Sequence, residues 1–176
     1  MTVSIIRLAN QADLKTLVTV SRQTFTETFV GDFSRPYTKE DLTRFYSTHH
    51  SLDRYQHYLN DQDHALSVLL VDNEIVGYAL VGPCDLPHQD VTKTCGELKR
   101  LYIIKDKQGC GYGKRLLEQA FQHLTDHFKQ QWIGVWSGNL RAQKIYHSYG
   151  FEKVGDYIYP VGDVMDEEFI LRKQIS

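Results

Sequence analysis

"KDKQGCGYGKRLL", residues 105–117, places three glycines at alternate positions, Gly109, Gly111 and Gly113, directly before a basic pair, Lys114 and Arg115. Upstream, "GELKRLYII" (96–104) reads as a β-strand. Downstream, Leu116, Leu117, Ala120, Phe121 and Leu124 recur at helical spacing as one apolar stripe, so a helix is expected over about 111–129. A strand, a glycine loop and a helix start in this order bring backbone N–H groups close to an anion. The first N–H groups of a helix have no intrahelical acceptor and carry partial positive charge, and a loop without Cβ atoms admits a phosphate. From Lys93 to Arg115 there are seven basic residues (93, 99, 100, 105, 107, 114, 115) against two acids (97, 106), in a chain of net charge −2. The alternative is a plain glycine turn with a solvated basic face.

Two familiar phosphate loops do not fit. A P-loop, G-x-x-x-x-G-K-[ST], would need glycine where Gln108 stands and a hydroxyl where Arg115 stands. The dinucleotide fingerprint G-x-G-x-x-G, counted from Gly109, would need its third glycine at Lys114. What remains is Gln108-x-x-Gly111-x-Gly113.

The flanking chain supplies a mixed order of elements. "VSIIRLA" (3–9) is a strand, and Asn10 with Asp13 has the spacing of an N-cap pair opening a helix that carries Leu14, Leu17, Val18, Ser21, Phe25 and Phe29. A loop follows from Gly31 to Tyr37, then short helices over 39–48 and 52–61, opened by Thr38 and Ser51. "ALSVLLVDNEIVGYALVG" is a hairpin around a tight turn, "WIGVW" (132–136) a buried strand, and "NLRAQKIYHSYGF" a helix that Gly150 stops. "EKVGDYIYP" and "DEEFILRK" close as a second hairpin. Such a mixture predicts an α/β or α+β domain with helices on both faces of a mixed sheet.

The 176 residues suit a single domain, 1–176, with 41% apolar and 24% charged residues. The slight net negative charge argues against a general nucleic-acid partner. Cys84, Cys95 and Cys110 form no C-x-x-C and read as free thiols of a reducing compartment. No long uncharged apolar run or signal-like start is present, so no membrane association and a cytoplasmic location are expected.

Three segments together resemble the GCN5-related N-acetyltransferases. "LYIIKDKQGCGYGKRLL" is similar to that family's acetyl-CoA motif, with Q-x-x-G-x-G five residues after Ile103. "NLRAQKIYHSYGF" is similar to its second motif through Asn139, Ala142, Tyr146, Gly150 and Phe151, and "SIIRLANQADL" to its first strand and helix start. Shorter stretches, "SRQTFTETF", "ELKRLYI", "WIGVWSGN" and "YPVGDVMDEEFILRK", resemble PaiA-type spermidine/spermine N-acetyltransferases. The resemblance implies a central mixed, mostly antiparallel sheet of six to seven strands flanked by helices. It also implies direct transfer of acetyl from acetyl-CoA to a primary amine, without a metal, and a possible homodimer.

Roles follow from the same resemblance. Gln108, Gly109, Cys110, Gly111, Tyr112, Gly113 and Lys114 would receive the pyrophosphate, chiefly by backbone N–H groups, with a further bond from the Gln108 side chain. The backbone of Leu101, Tyr102 and Ile103 would form the ledge for the thioester and pantetheine, with the Ile103 amide as oxyanion donor. Asn139 would hold the pantetheine or simply cap its helix, or both. Tyr146 would be general acid to the leaving thiolate, against the alternative of a core tyrosine. The amine must lose a proton, since with pKa ~10.4 only about one part in a thousand is neutral at pH 7. Glu97 is the expected base, acting through a water, unless Lys99 or Lys93 pairs with it.

Cys110 lies in the loop with no histidine placed to activate it, and His123 and His127 lack a third metal ligand. Trp132 and Trp136 are expected in the core. The acceptor side should come from residues 25–55 and 82–93, where Glu27, Asp32, Glu40, Asp41, Asp85 and Asp90 could face a polyamine. There Phe25, Phe29, Phe33 and Tyr37 either line a channel or fill the core. A protein N-terminus, an amino acid or an antibiotic amine are alternative acceptors. A non-catalytic acetyl-CoA-binding module is a further alternative, which Glu97, Asn139 and Tyr146 argue against.

Overall fold

The computed structural model describes residues 3–175. Seven strands form one sheet: β1 (Ser4–Leu8), β2 (Ala65–Val71), β3 (Glu74–Pro83), β4 (Cys95–Ile103), β5 (Gln130–Trp136), β6 (Glu152–Val161) and β7 (Val164–Gln174). Their order across the sheet is β1-β2-β3-β4-β5-β7-β6. Every neighbouring pair is antiparallel except β4 with β5. The helices are α1 (Leu14–Phe25), α2 (Lys39–His49), α3 (Leu52–Asn60), α4 (Tyr112–His127) and α5 (Leu140–Ser148). The expected mixed, mostly antiparallel sheet with helices on both faces is the observed architecture.

Local chemistry explains the starts and stops. Asn10 and Thr38 each form a reciprocal capping box, with Asp13 and Asp41 returning a carboxylate to the cap amide. Gly150 sits at φ +90° after α5, a conformation that favours glycine. One difference from the sequence reading lies after α1. The helix continues into a wide π-turn, Thr26–Asp32, where a loop was expected from Gly31. That turn carries Phe29 inward and leaves Phe33 beside Trp136, with ring centroids 4.8 Å apart.

The sheet separates two cores. On one face Leu116, Leu117, Ala120, Phe121 and Leu124 of α4 pack on Ala79, Leu98, Ile133 and Leu171. On the other, Leu14, Leu17 and Val20 of α1 and Tyr55 and Tyr58 of α3 cover Leu66, Val68, Tyr78 and Leu80. Among the described residues no helix is long and apolar enough to cross a membrane.

The contact between β3 and β4 tolerates no added atom at the end where Gly77 pairs with Ile103. A Cβ on Gly77 would overlap the Ile103 side chain and lie 2.8 Å from the Tyr102 carbonyl oxygen. The carbonyl is backbone and cannot rotate away. Gly77→Ala is expected to destabilise the fold by about 1–3 kcal/mol, read as a lower urea midpoint at unchanged slope.

Candidate active site

The site begins with a strand that loses its partner. β4 and β5 pair only from Cys95 to Leu98, against Gln130 to Ile133. On the β3 side, Leu80 faces Arg100 and Val81 faces Leu98, so Lys99 is an extra, bulged residue. A bulge bends its strand, and from this point β4 turns away from β5. The Ile104 amide donates to Val76 O at 2.9 Å on the β3 side. Alternation along the strand therefore turns the Leu101 and Ile103 amides toward the open side. The wedge is the mouth of a cleft of about 1200 Å³ that runs through the sheet from α4 and α5 to α1, α2 and α3.

At one end lies the glycine loop. Gly109 and Gly111 have φ of +79° and +80°, so glycine is required there by conformation. Gly113 has no such φ, and a Cβ there would only touch Ile103 at 3.9 Å. None of the amides from Gly109 to Lys114 donates to an acceptor among the described residues. The first turn of α4 contains no acid. Six free amides at a helix start form a cradle for a phosphate. The Gln108 side chain is used differently from the expectation: its Nε2 donates to Ile103 O at 3.0 Å and ties the loop to the end of β4. Cys110 is exposed.

The local excess of basic residues also divides differently from its linear appearance. Lys105 pairs with Asp32 at 2.5 Å, and its amide donates to Glu27 at 2.8 Å. Arg115 donates to Ser4 Oγ at 2.6 Å. Lys99 pairs with Asp85 and Glu97, at 2.5 and 3.1 Å. Arg100 shares the sheet face of Leu80, its β3 partner, and points to α3.

At the centre stand two tyrosines and two carboxylates. Tyr146 of α5 lines the cleft, and burial raises its phenol to about 12, so it holds its proton at neutral pH. Asn139 caps α5 through Oδ1, which accepts from the Ala142 amide at 3.0 Å, and its side-chain NH₂ is left to donate elsewhere. Glu97, the expected base, is buried, and its Oε2 accepts from Lys99 and from the Asp85 amide at 2.9 Å. The ion-pair alternative is thus what the geometry realises.

The carboxylate that sequence reasoning missed is Glu168 on β7. It sits opposite Trp136 of β5, and Oε2 accepts from the Tyr157 hydroxyl at 2.5 Å. Room for this pair exists because residue 134 is glycine: a Cβ there would overlap Tyr157 Oη and lie 3.3 Å from Glu168 Oε2. Burial pushes Glu168 up to about 7, against the lowering effect of Tyr157, with Asp166 and Glu97 adding repulsion. In "DEEFILRK" alternation puts Asp166, Glu168 and Ile170 on one face of a strand, but that pattern does not tell which face meets the cleft.

The far end is aromatic. Phe25, Phe29, Tyr37 and Phe45 are buried together and also line the cleft, so channel wall and core are one structure. Trp136, expected in the core, is partly buried: it packs against this cluster and also lines the cleft under Arg35, whose guanidinium lies 5.0 Å from the ring. Trp132 is fully buried. The expected acceptor acids are largely engaged: Asp41 caps α2, Asp32 and Asp85 pair with lysines, and Asp90 pairs with Arg172 at 2.8 Å. Asp166, also unforeseen, is buried and held by Arg35 and Tyr37. His123 and His127 stack at 4.1 Å, and no cluster of three metal-ligating side chains occurs among the described residues.

With this geometry in place, comparison with known proteins defines the class. Residues 24–151 match the family model for the acetyltransferase (GNAT) family. The cleft is therefore that of an acyltransferase. The chain belongs to the GNAT family of N-acetyltransferases. It is 29% identical to an uncharacterised N-acetyltransferase of Lactobacillus delbrueckii subsp. lactis over 94% of each chain. It is also 29% identical to a spermine/spermidine N(1)-acetyltransferase of Bacillus subtilis, over 57% of this chain and 67% of that one. The fold superimposes on the PaiA N-acetyltransferase of Thermoplasma acidophilum, solved with coenzyme A, with TM-score 0.76, 19% identity and 98% and 99% of the two chains covered.

Asp166 joins the loop before α2 to the sheet. Asp166→Ala strands the Arg35 guanidinium and the Tyr37 hydroxyl and should cost about 3 kcal/mol of folding stability, as expected when one partner of a buried pair is removed. Chemical denaturation measures it.

Proposed function

We propose that the protein transfers acetyl from acetyl-CoA directly to a small primary amine, with Glu168 as base and Tyr146 as acid. The observation that carries this reading is the unpaired edge of β4, with two free amides between the phosphate cradle and a carboxyl tuned to about 7. The amides of Gly109–Lys114 suit the pyrophosphate. Leu101 and Ile103 suit an extended pantetheine, with the Asn139 NH₂ as a further donor. Acetyl-CoA supplies an activated acyl carbon. The Ile103 amide is aimed at the side of β4 where its carbonyl oxygen would gain charge.

Proton removal is the work of Glu168. Moving a proton from an amine of pKa ~10.4 to an ordinary carboxylate near 4.3 costs about 8 kcal/mol, and to one near 7 about 5 kcal/mol. The buried position of Glu168 therefore removes about 3 kcal/mol of that cost. Glu97, locked to Lys99 and the Asp85 amide, supports the floor of the site and adds negative field to Glu168.

A polyamine acceptor is supported by the likeness to the Bacillus subtilis spermine/spermidine enzyme and by Asp166 and Glu168 at the acceptor end. An amine bearing its own carboxylate is supported by Arg100, which enters the same space. Release of free CoA thiol on adding amines to enzyme and acetyl-CoA tests the shared reading, and absence of turnover across polyamines, amino acids, aminoglycosides and N-terminal peptides would sink it.

Two variants test the roles. Glu168→Gln should lower kcat/KM by about 10²–10⁴-fold. The ascending inflection near pH 7 in the wild-type profile should vanish, because the base works only deprotonated and its raised pKa sets where activity rises. Tyr157, Asp166 and Glu97 face the same carboxylate and remain in the variant. Tyr146→Phe should lower kcat by about 10–10³-fold with CoA affinity nearly intact by calorimetry. An unchanged kcat would remove Tyr146 from the acid role.

A further inference from the structure

Among the described residues, Arg100 is the one partly buried cation lining the acceptor end of the cleft that has no carboxylate. Its side chain leaves β4 on the α3 face and lines the cleft. Among the described residues its single side-chain hydrogen bond goes to the Tyr55 hydroxyl, at 2.7 Å, with the guanidinium carbon 5.4 Å from the Tyr55 ring centre. Tyr55 in turn donates to Tyr78 at 3.2 Å, and both rings are fully buried. The electrostatic neighbours of Arg100 are the tyrosines Tyr55, Tyr78, Tyr159 and Tyr58. A guanidinium has five N–H donors in a planar fork and does not lose its charge at accessible pH. Four donors of this partly buried cation are left without a protein acceptor among the described residues, at the wall of the cleft where an anionic group could meet them.

The surroundings show that this charge is isolated by construction. The other deep cations of the region are neutralised, Lys99 by Glu97 and Asp85, Arg35 by Asp166. His49 and His50 lie on the same side and are kept neutral, first by burial and then by Arg100 itself. Glu168 lines the same cleft, held by a tyrosine and with no ion-pair partner among the described residues. Glu168 and Arg100 line the same cleft, and Tyr102 and Tyr159 lie in the field of both, so one space carries groups of opposite charge.

Resting on the acetyltransferase reading above, we propose that the acceptor amine also carries a carboxylate, which Arg100 receives through its planar fork while the amine lies toward Glu168. A carboxylate matches the fork of one guanidinium in two hydrogen bonds. A phosphate would want further deep donors, and the next cation, Arg54, is exposed at the rim over Tyr58. A polycation would have to lie against an unneutralised Arg100. The acceptor class is therefore an amino acid or an amine built on one, rather than an unsubstituted polyamine.

The test compares acceptors that differ only by the carboxylate: lysine with cadaverine, ornithine with putrescine, phenylalanine with phenethylamine, methionine with 3-(methylthio)propylamine. Within productive pairs the carboxylated member should have kcat/KM higher by on the order of a hundredfold. Arg100→Met should abolish that preference, while Arg100→Lys should keep part of it. A pair in which the plain amine is the better substrate overturns the proposal, as does a preference that survives in Arg100→Met. If no acceptor turns over, the acetyltransferase reading fails by itself. Binding then decides the proposal: isothermal titration of the N-acetylated amino acids and their decarboxylated amides into CoA-loaded enzyme. Tighter binding of the acids, lost in Arg100→Met, supports the proposal; equal or no binding of the acids overturns it. Circular dichroism of each variant verifies that it is folded.

Discussion

A strand inside a sheet normally commits both rows of its backbone groups to its neighbours, and an interior row left bare costs free energy unless something else bonds to it. β4 gives up half of its pairing with β5 because Lys99 is inserted without a partner on β3. The rest of the site depends on that insertion. It bends β4 away, presents the Leu101 and Ile103 amides to the gap, and lets the cleft pass between the two faces of the sheet. The side chain of Lys99 stabilises the same bend, crossing to Glu97 and Asp85 and holding the loop after β3 against the bent strand. The Gln108 side chain closes the other end, on the Ile103 carbonyl, so the bare segment is pinned before and after.

Charge is distributed along the cleft by the same logic of matched and unmatched groups. Glu97 and Asp166 are buried carboxylates, but each has a cation and at least one further donor, and so each is structural in effect. Glu168 is half-buried with a phenol for company and, among the described residues, no cation, which is why its proton affinity rises toward neutrality. Sequence position alone does not distinguish these acids. What separates them is whether a basic side chain comes within reach: for Glu97 it is Lys99, two residues along the same strand, and for Asp166 it is Arg35, 131 residues away in sequence.

This distinction explains what the sequence disclosed. The loop from Gln108 to Gly113 and the helix after it were legible because backbone conformation there is dictated locally, by glycines at φ near +80° and an apolar stripe of period 3.6. The second motif was legible for the same reason, with Asn139 capping α5 and Gly150 ending it. The basic cluster between Lys93 and Arg115 misled, because neighbours in a strand point to opposite faces. Lys99 and Arg100 consequently serve different ends of the cleft. Glu168 was hidden by topology: it reaches the site only because β7 inserts between β5 and β6, a pairing that no local pattern encodes.

In the proposed reaction the two titrating groups also constrain the order of events. A proton passing from a free ammonium of pKa ~10.4 to Glu168 near 7 climbs by about 5 kcal/mol, and one passing from Tyr146 near 12 to a free thiolate of pKa ~8.5 climbs by a similar amount. Neither transfer is favourable on the separated species. The first becomes easier in the transition state, because a nitrogen bonding to the acyl carbon loses basicity. In the proposed reaction the Glu168 pKa thus favours proton movement coupled to C–N formation over a full transfer before it. The Ile103 amide requires no such timing, since a backbone donor fixed by β3 on one side is already aimed at the gap on the other.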